Sequence, residues 1–208
     1  MVVNNNFNYF AMMYLNDWYS SDMLFMEGIS SSETSKRLTK FHDAAKYYKV
    51  TRNFITLDGE VRLEGALEIL LQESGPITDE NVCSKVTLLA ETLKKRYGKN
   101  VVSAASKFLW LRFRSPVIIF DSRALNWLKV NQYPVSPIGS YESYREQWLA
   151  AFKAHEKQIE TACNGIPAVR KYTLACDESE NVVSEICVSR WFRERVFDKY
   201  LWFNGGGG

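Results

Sequence analysis

Apolar side chains recur at helical spacing along most of this chain. Phe7, Tyr9, Phe10, Met13, Tyr14, Trp18 and Tyr19 describe an aromatic-rich first helix whose rings either fill a core or line a pocket. A Ser-rich bridge, Gly28 to Ser32, leads into a second helix from about Glu33 to Tyr48. Lys36, Arg37, Lys40, Lys46 and Lys49 give it a basic face that is either simply solvated or turned toward phosphates. Asp58-Gly59 marks a turn. Val61, Leu63, Leu67, Ile69, Leu70 and Leu71 then predict a third helix over Glu60 to Ser74, stopped by Gly75-Pro76. Thr78 or Asp79 can cap a fourth helix that runs to about Tyr97, with Val82, Val86, Leu89, Ala90 and Leu93 on one side. Lys94, Lys95 and Arg96 complement the dipole of its last turn, and Gly98 follows as a helix stop.

The stretch from Ser103 to Leu128, SAASKFLWLRFRSPVIIFDSRALNWL, departs from this one-sided pattern. From Ala104 to Phe113 small and large apolar residues cover nearly every face, which predicts a buried helix. Pro116 ends it. Val117, Ile118, Ile119 and Phe120 continue as an extended apolar run, after which Asp121 and Ser122 supply the oxygens that cap a new helix through Leu128. Asp121 is therefore either a cap alone or an acid facing a crevice, since Phe120, Arg123 and Trp127 surround it in sequence with aromatic and basic groups. Lys107 is either the one polar position of the buried helix, snorkelling to solvent, or an amine working beside that acid.

A loop from Asn131 to Ser140, with Pro134, Pro137 and Gly139, precedes a long helix from about Tyr141 to Cys163. Its stripe of Tyr144, Trp148, Ala151, Phe152, His155 and Ile159 makes His155 a core histidine rather than a catalyst. Asn164-Gly165-Ile166-Pro167 reads as a break. Between Pro167 and Cys187 the pattern is indistinct, and a small strand around Val182 to Val188 stays open. A last helix over about Ser189 to Phe203 carries Trp191, Phe192, Val196, Phe197, Tyr200 and Leu201, and Gly205 to Gly208 reads as a tag or linker outside the fold.

Composition narrows the classes. The chain has 208 residues, 46% hydrophobic and 24% charged, enough for one sizeable core or two small lobes of an ordinary globular protein. A formal charge of +2 argues against holding nucleic acid by bulk charge, so any phosphate contact must come from clustering. Cys83, Cys163, Cys176 and Cys187 show neither C-x-x-C spacing nor the density of a disulfide scaffold, and His42 and His155 complete no zinc pattern. No metal or cofactor is expected. Nucleotide-binding fingerprints and the G-x-S-x-G elbow are missing, and so are a signal peptide and an apolar run of membrane-spanning length. A cytoplasmic monomer without membrane association is expected.

Around the central stretch the sequence resembles the helix-hairpin-helix DNA glycosylase superfamily. The matching pieces are Gly98 to Ser106, Lys107 to Phe113, Pro116-Val117 and Asp121-Ser122-Arg123. S-A-A-S-K-F-L with F-D-S-R-A is more similar to divergent bacterial relatives of the oxoguanine glycosylases, among them anti-phage enzymes that excise glucosylated hydroxymethylcytosine. The resemblance implies an all-helical, two-lobed fold with the active site in the cleft between lobes. Residues 1–204 then form one helical unit, with about 60–130 as the hairpin lobe and 1–59 with 131–204 as the other. It also implies double-stranded DNA with a flipped modified base as partner. Asp121 matches the essential aspartate, Lys107 is the candidate amine, and Trp110, Phe120 and Trp127 are local candidates for stacking on the base. Gly98, Lys99, Asn100, Arg112, Arg114 and Arg123 are the candidate DNA contacts. The hairpin lacks the usual Gly-x-Gly, and neither Lys107 nor Lys99 stands where bifunctional members carry their lysine, which favours a monofunctional enzyme. The alternative is a helical nucleic-acid-binding or protein-interaction module without chemistry.

Overall fold

In a computed structural model, which describes residues 6–57 and 59–206, the described chain is helical and contains no strand. The helices are α1 (Phe7–Asp17), α2 (Met23–Ile29), α3 (Thr34–Tyr47), α4 (Glu64–Gln72), α5 (Val82–Tyr97), α6 (Val102–Phe113), α7 (Ser122–Val130), α8 (Tyr141–Val169), α9 (Glu180–Val188) and α10 (Arg190–Asn204). A π-helical turn, Trp18–Asp22, joins α1 to α2. Among the described residues no helix is long and apolar enough to cross a membrane. The chain divides into two compact units, one made of the residues up to Ser20 and those from Asp121 onward, the other of Ser21–Phe120.

In the unit of Ser21–Phe120, α6 is the centre. Ala104 through Leu111 are all buried, as a helix apolar on every face requires. Phe108 meets Phe41 of α3 at 4.4 Å and Phe54 at 5.6 Å between ring centroids, and Phe54 in turn meets Tyr97 of α5 at 5.0 Å. Polar groups within this unit close its loops. Arg62 donates to the carbonyls of Phe54 (2.8 Å) and Thr51 (2.7 Å), and the buried Asp22 accepts from the Tyr48 hydroxyl at 2.7 Å. Gly98 ends α5 at φ 73°, a conformation that costs a side-chain-bearing residue about 1 kcal/mol or more.

In the other unit α10 is the centre. Phe10 and Phe7 of α1, Trp127 of α7 and Trp148 of α8 gather around its Phe197 and Tyr200. His155 is half-buried, with Nδ1 at 2.9 Å from the Ala151 carbonyl and its ring among Phe7, Trp127, Phe197 and Tyr200.

Four expectations are corrected. The helix expected to stop at Cys163 runs on to Val169 through Asn164-Gly165-Ile166-Pro167. Pro167 falls in its last turns, where only the bond to Cys163 is lost. Burial of Ile159, Ala162, Cys163, Ile166 and Pro167 along one face offsets a penalty of about 3 kcal/mol. The open strand around Val182 to Val188 is helix α9. The Ser179 hydroxyl caps it by accepting from the Val182 N–H (3.3 Å), and Val183 and Cys187 are buried one turn apart while Val182 and Val188 are exposed. Tertiary burial at a period of 3.6 overrides the β-propensity of three valines and an isoleucine. The fourth helix is led in by Asn81 rather than by Thr78 or Asp79, and the Asn81 amide oxygen accepts from the Thr78 N–H at 2.9 Å. The third helix begins at Glu64, after Leu63 at φ 71°, rather than at Glu60. Of the expected turn Asp58-Gly59, Asp58 lies outside the described residues, and Gly59 has φ 79°.

Gly205 belongs to the fold rather than to a linker, while Gly207 and Gly208 lie outside the described residues. Gly205 is buried, its N–H closes α10 on Leu201 (2.8 Å), and its carbonyl accepts from Asn126 of α7 at 3.1 Å. A Cβ on it would lie 2.0 Å from the backbone oxygen of Arg123. Gly205→Ala is therefore expected to lower stability by about 2 kcal/mol, the scale of overpacking a closed site. Thermal unfolding checks this, and an unchanged midpoint would show that the α7–α10 contact is loose.

Candidate active site

The segment between α6 and α7 is tied to α6. In the unit of Ser21–Phe120, the buried Ser106 hydroxyl donates to the Ser103 carbonyl (3.2 Å) and accepts from the Phe120 N–H (2.9 Å). The extended run Val117–Phe120 is thereby fastened to α6, with Val117, Ile118 and Ile119 buried. One turn along α6, Lys107 is 5% exposed and donates from Nζ to the Ser103 Oγ at 3.0 Å. Snorkelling to solvent, the bland expectation for Lys107, does not occur. Its stem is enclosed, and a hydroxyl one turn away takes one of its N–H bonds.

Asp121 opens the other unit. Its backbone is extended (φ −135°, ψ 140°), and Oδ1 accepts from the Arg123 N–H at 3.0 Å, so the acid caps α7 as expected. Its backbone is near enough to the Tyr144 phenol on α8 to influence that group's titration. Tyr144 is fully buried. Burial raises its pKa well above the ordinary tyrosine value, and the carboxylates of Asp198 and Asp121 add to that rise, whereas the Asp121 N–H works against it. Asp198, on α10, is buried as well. It accepts from the Trp148 indole N–H (2.9 Å) and from the Arg195 guanidinium (3.0 Å). Burial pushes its carboxyl up to about 6. Arg195 and the Trp148 hydrogen bond pull it back down, and Glu194 adds to the rise.

The remaining candidates divide between the units. Gly98, Lys99 and Asn100 are exposed at the α5–α6 connection. Arg112 is half-buried and donates to the Leu70 carbonyl at 2.6 Å, its guanidinium 5.2 Å from the Phe113 ring, and burial lowers its pKa. Arg114 ends α6 at φ 55°, a left-handed conformation that costs an L-residue about 1–3 kcal/mol. Trp110 is buried in α6, and Phe120 is half-buried. In the Asp121 unit, Arg123 is exposed with its guanidinium 4.1 Å over the Trp202 ring. Trp127 is buried against Tyr200, His155 and Phe197, a core position in this structure. Asp121, Arg123 and Trp127 thus share one unit, while Lys107, Trp110, Phe120 and the hairpin residues share the other.

The buried residues Tyr144, Trp148, Arg195 and Asp198 do not stand out as a site in the sequence. Tyr144 and Trp148 lie on a stripe that reads as core. One signal was present: Arg195 and Asp198 stand three apart on a helix that is otherwise aromatic and aliphatic, the spacing of an intrahelical ion pair.

Comparison of the chain with protein-family models, curated proteins and solved structures finds no match.

Proposed function

We propose that this chain is a DNA glycosylase that removes a modified base by cleaving its N-glycosidic bond. The observation that carries the reading is the acid at the start of α7, with one carboxylate oxygen fixed by the Arg123 N–H. When the bond between the base and C1′ breaks, the base leaves with the electron pair and the sugar acquires oxocarbenium character. A carboxylate fixed beside C1′ stabilises that charge, water adds to C1′ and remains there as the hydroxyl, and the one proton it releases passes, directly or through solvent, to the departing base. A carboxylate whose position is set before the substrate arrives spends no energy on reorganisation in the transition state.

The resemblance around Ser103 to Leu128 supports this class. It points to glucosylated hydroxymethylcytosine in phage DNA, and so to antiviral defence, as the substrate setting. In that role Gly98, Lys99 and Asn100 offer exposed backbone and charge for phosphates, joined by Arg114 and Arg123. The chain acts as a monofunctional enzyme, with Lys107 serving structure through Ser103 rather than attacking the sugar.

The test is incubation of the full chain with phage DNAs carrying glucosylated hydroxymethylcytosine, hydroxymethylcytosine or unmodified cytosine. Free base released and strands broken by hot alkali are then measured, with borohydride added in parallel. Release from the glucosylated DNA without a borohydride-trapped adduct is the expected result. An adduct would make the enzyme a lyase with a lysine nucleophile. Binding without release from any DNA would favour the non-catalytic module.

A further inference from the structure

Arg123 stands two residues after Asp121, in the first turn of α7, and its side chain is exposed yet held. Its guanidinium carbon lies 4.1 Å from the ring centroid of Trp202 on α10, a residue that is itself 40% exposed. The end of the chain closes in beside it. Gly205 is pinned where it follows α10, its N–H on the Leu201 carbonyl (2.8 Å) and its carbonyl on the Asn126 side chain of α7 (3.1 Å), and this brings Gly206 against Arg123. A Cβ at Gly206 would lie 2.9 Å from one guanidinium nitrogen and 3.1 Å from the guanidinium carbon, so only a residue without a side chain leaves Arg123 where it is. In the same unit Arg170, Arg190, Arg193 and Arg195 each hold a carboxylate, whereas Arg123 holds an aromatic ring and makes no ion pair among the described residues. Its charge is fixed in place and left unneutralised.

From this arrangement, and resting on the glycosylase reading for its ligand, we propose that Trp202 and Gly206 are positioning residues for Arg123, which they hold ready to grip a phosphodiester of the DNA strand beside Asp121. A free arginine side chain samples many rotamers and loses that freedom when it binds. Resting on an aromatic face, it gives up the freedom beforehand, while the N–H donors at its edge stay available to two phosphate oxygens. The indole attracts the cation without neutralising it, so an arriving phosphate displaces no carboxylate. The grip and the acid share the first turn of α7, whose cap bond runs from the Arg123 N–H to Asp121 Oδ1 (3.0 Å). A phosphate held at Arg123 therefore sets how far the neighbouring sugar lies from the carboxylate.

Titration of the full chain with a fluorescent duplex of unmodified DNA, at several salt concentrations, reads this contact without any chemistry. Arg123→Gln is expected to weaken binding about tenfold and to lower the log–log salt slope by about one, as the loss of one phosphate contact does. Trp202→Ala and Gly206→Ala are each expected to weaken it about three- to tenfold, the scale of immobilising one long side chain. Trp202→Phe keeps an aromatic face and should bind within about twofold of wild type. In an Arg123→Gln background neither Trp202→Ala nor Gly206→Ala should add a further loss. Equal losses from Trp202→Ala with and without Arg123 would make the indole a structural residue or a direct DNA contact, and wild-type affinity in Gly206→Ala would leave Arg123 unconfined; either overturns the proposal. Coupled losses in a protein that releases no base would keep the phosphate contact and sink the glycosylase reading, whereas base release with uncoupled losses would do the reverse. A chain that binds no duplex at any salt concentration loses both.

Discussion

Asp121→Asn is expected to leave the fold and DNA binding intact while lowering base release by roughly a hundredfold or more, the scale of losing one electrostatic partner of a transition state. The substitution is a clean one. Asparagine caps a helix about as well as aspartate, so the bond that Oδ1 accepts from the Arg123 N–H at 3.0 Å can be kept. Only the charge is removed. Circular dichroism and the thermal midpoint should match the wild type, whereas single-turnover release from glucosylated DNA should fall. Asp121→Ala, by contrast, also loses the cap and about 1 kcal/mol of stability, so the two variants separate catalysis from helix initiation. Base release by Asp121→Asn at the wild-type rate would sink the assignment of this acid.

That acid was legible in the sequence because two local signals coincide at it. An apolar run broken by Pro116 precedes it, and the side chain at the head of the next helix is one that caps. The course of α6 was legible for the same local reason, since Ala104 to Leu111 is apolar except at the neighbouring Ser106 and Lys107. Other features depend on partners distant in the chain. Local punctuation at Gly165 and Pro167 argues for a break, and only the burial of Ile166 and Pro167 explains why α8 continues. Val182 and Val183 suit a strand until Val183 and Cys187 are found on the same buried face. Tyr144 looks like any core aromatic, because its electrostatic neighbours, Asp198 and Asp121, lie far from it in the chain on other elements.

The other large effect concerns the ion pair behind that tyrosine. Arg195→Ala is expected to lower the unfolding free energy by about 3–5 kcal/mol near pH 7, because it leaves the Asp198 carboxylate buried without its cation. The charged and titratable groups around Asp198 are Arg195 and Glu194 on α10 and Tyr144 on α8, the last also under the influence of Asp121. In the wild type the Asp198 carboxyl lies at about 6, above its ordinary 3.8, so the folded state holds the proton more tightly than the unfolded chain. The stability contributed by this protonation is complete below pH 3.8 and is lost as pH rises to about 6, a difference of about 3 kcal/mol. Removing Arg195 takes away the strongest influence that lowers this pKa, so protonation persists to still higher pH. The deficit of Arg195→Ala should therefore shrink as pH falls from 7 to 5, where the carboxyl is neutral and needs no cation. Urea unfolding at the two pH values measures this, and an equal deficit at both would mean that Asp198 does not titrate in the folded protein.

The discontinuity of the Asp121 unit bears on how the protein is made. Helix α1 leaves the ribosome well ahead of α10, and Phe10 meets its ring partner Tyr200, 5.5 Å away, only after the intervening chain has been translated. At about 5–20 residues per second, that wait is on the order of ten to forty seconds. Meanwhile the unit of Ser21–Phe120 has all of its own residues in hand and can close around Phe108. During that interval the newborn chain carries an uncovered stripe of Phe7, Phe10, Ala11, Tyr14 and Leu15, all buried in the finished molecule. Holdase chaperones and self-association compete for that stripe, which makes yield in cells sensitive to translation speed and temperature even where the finished fold is stable.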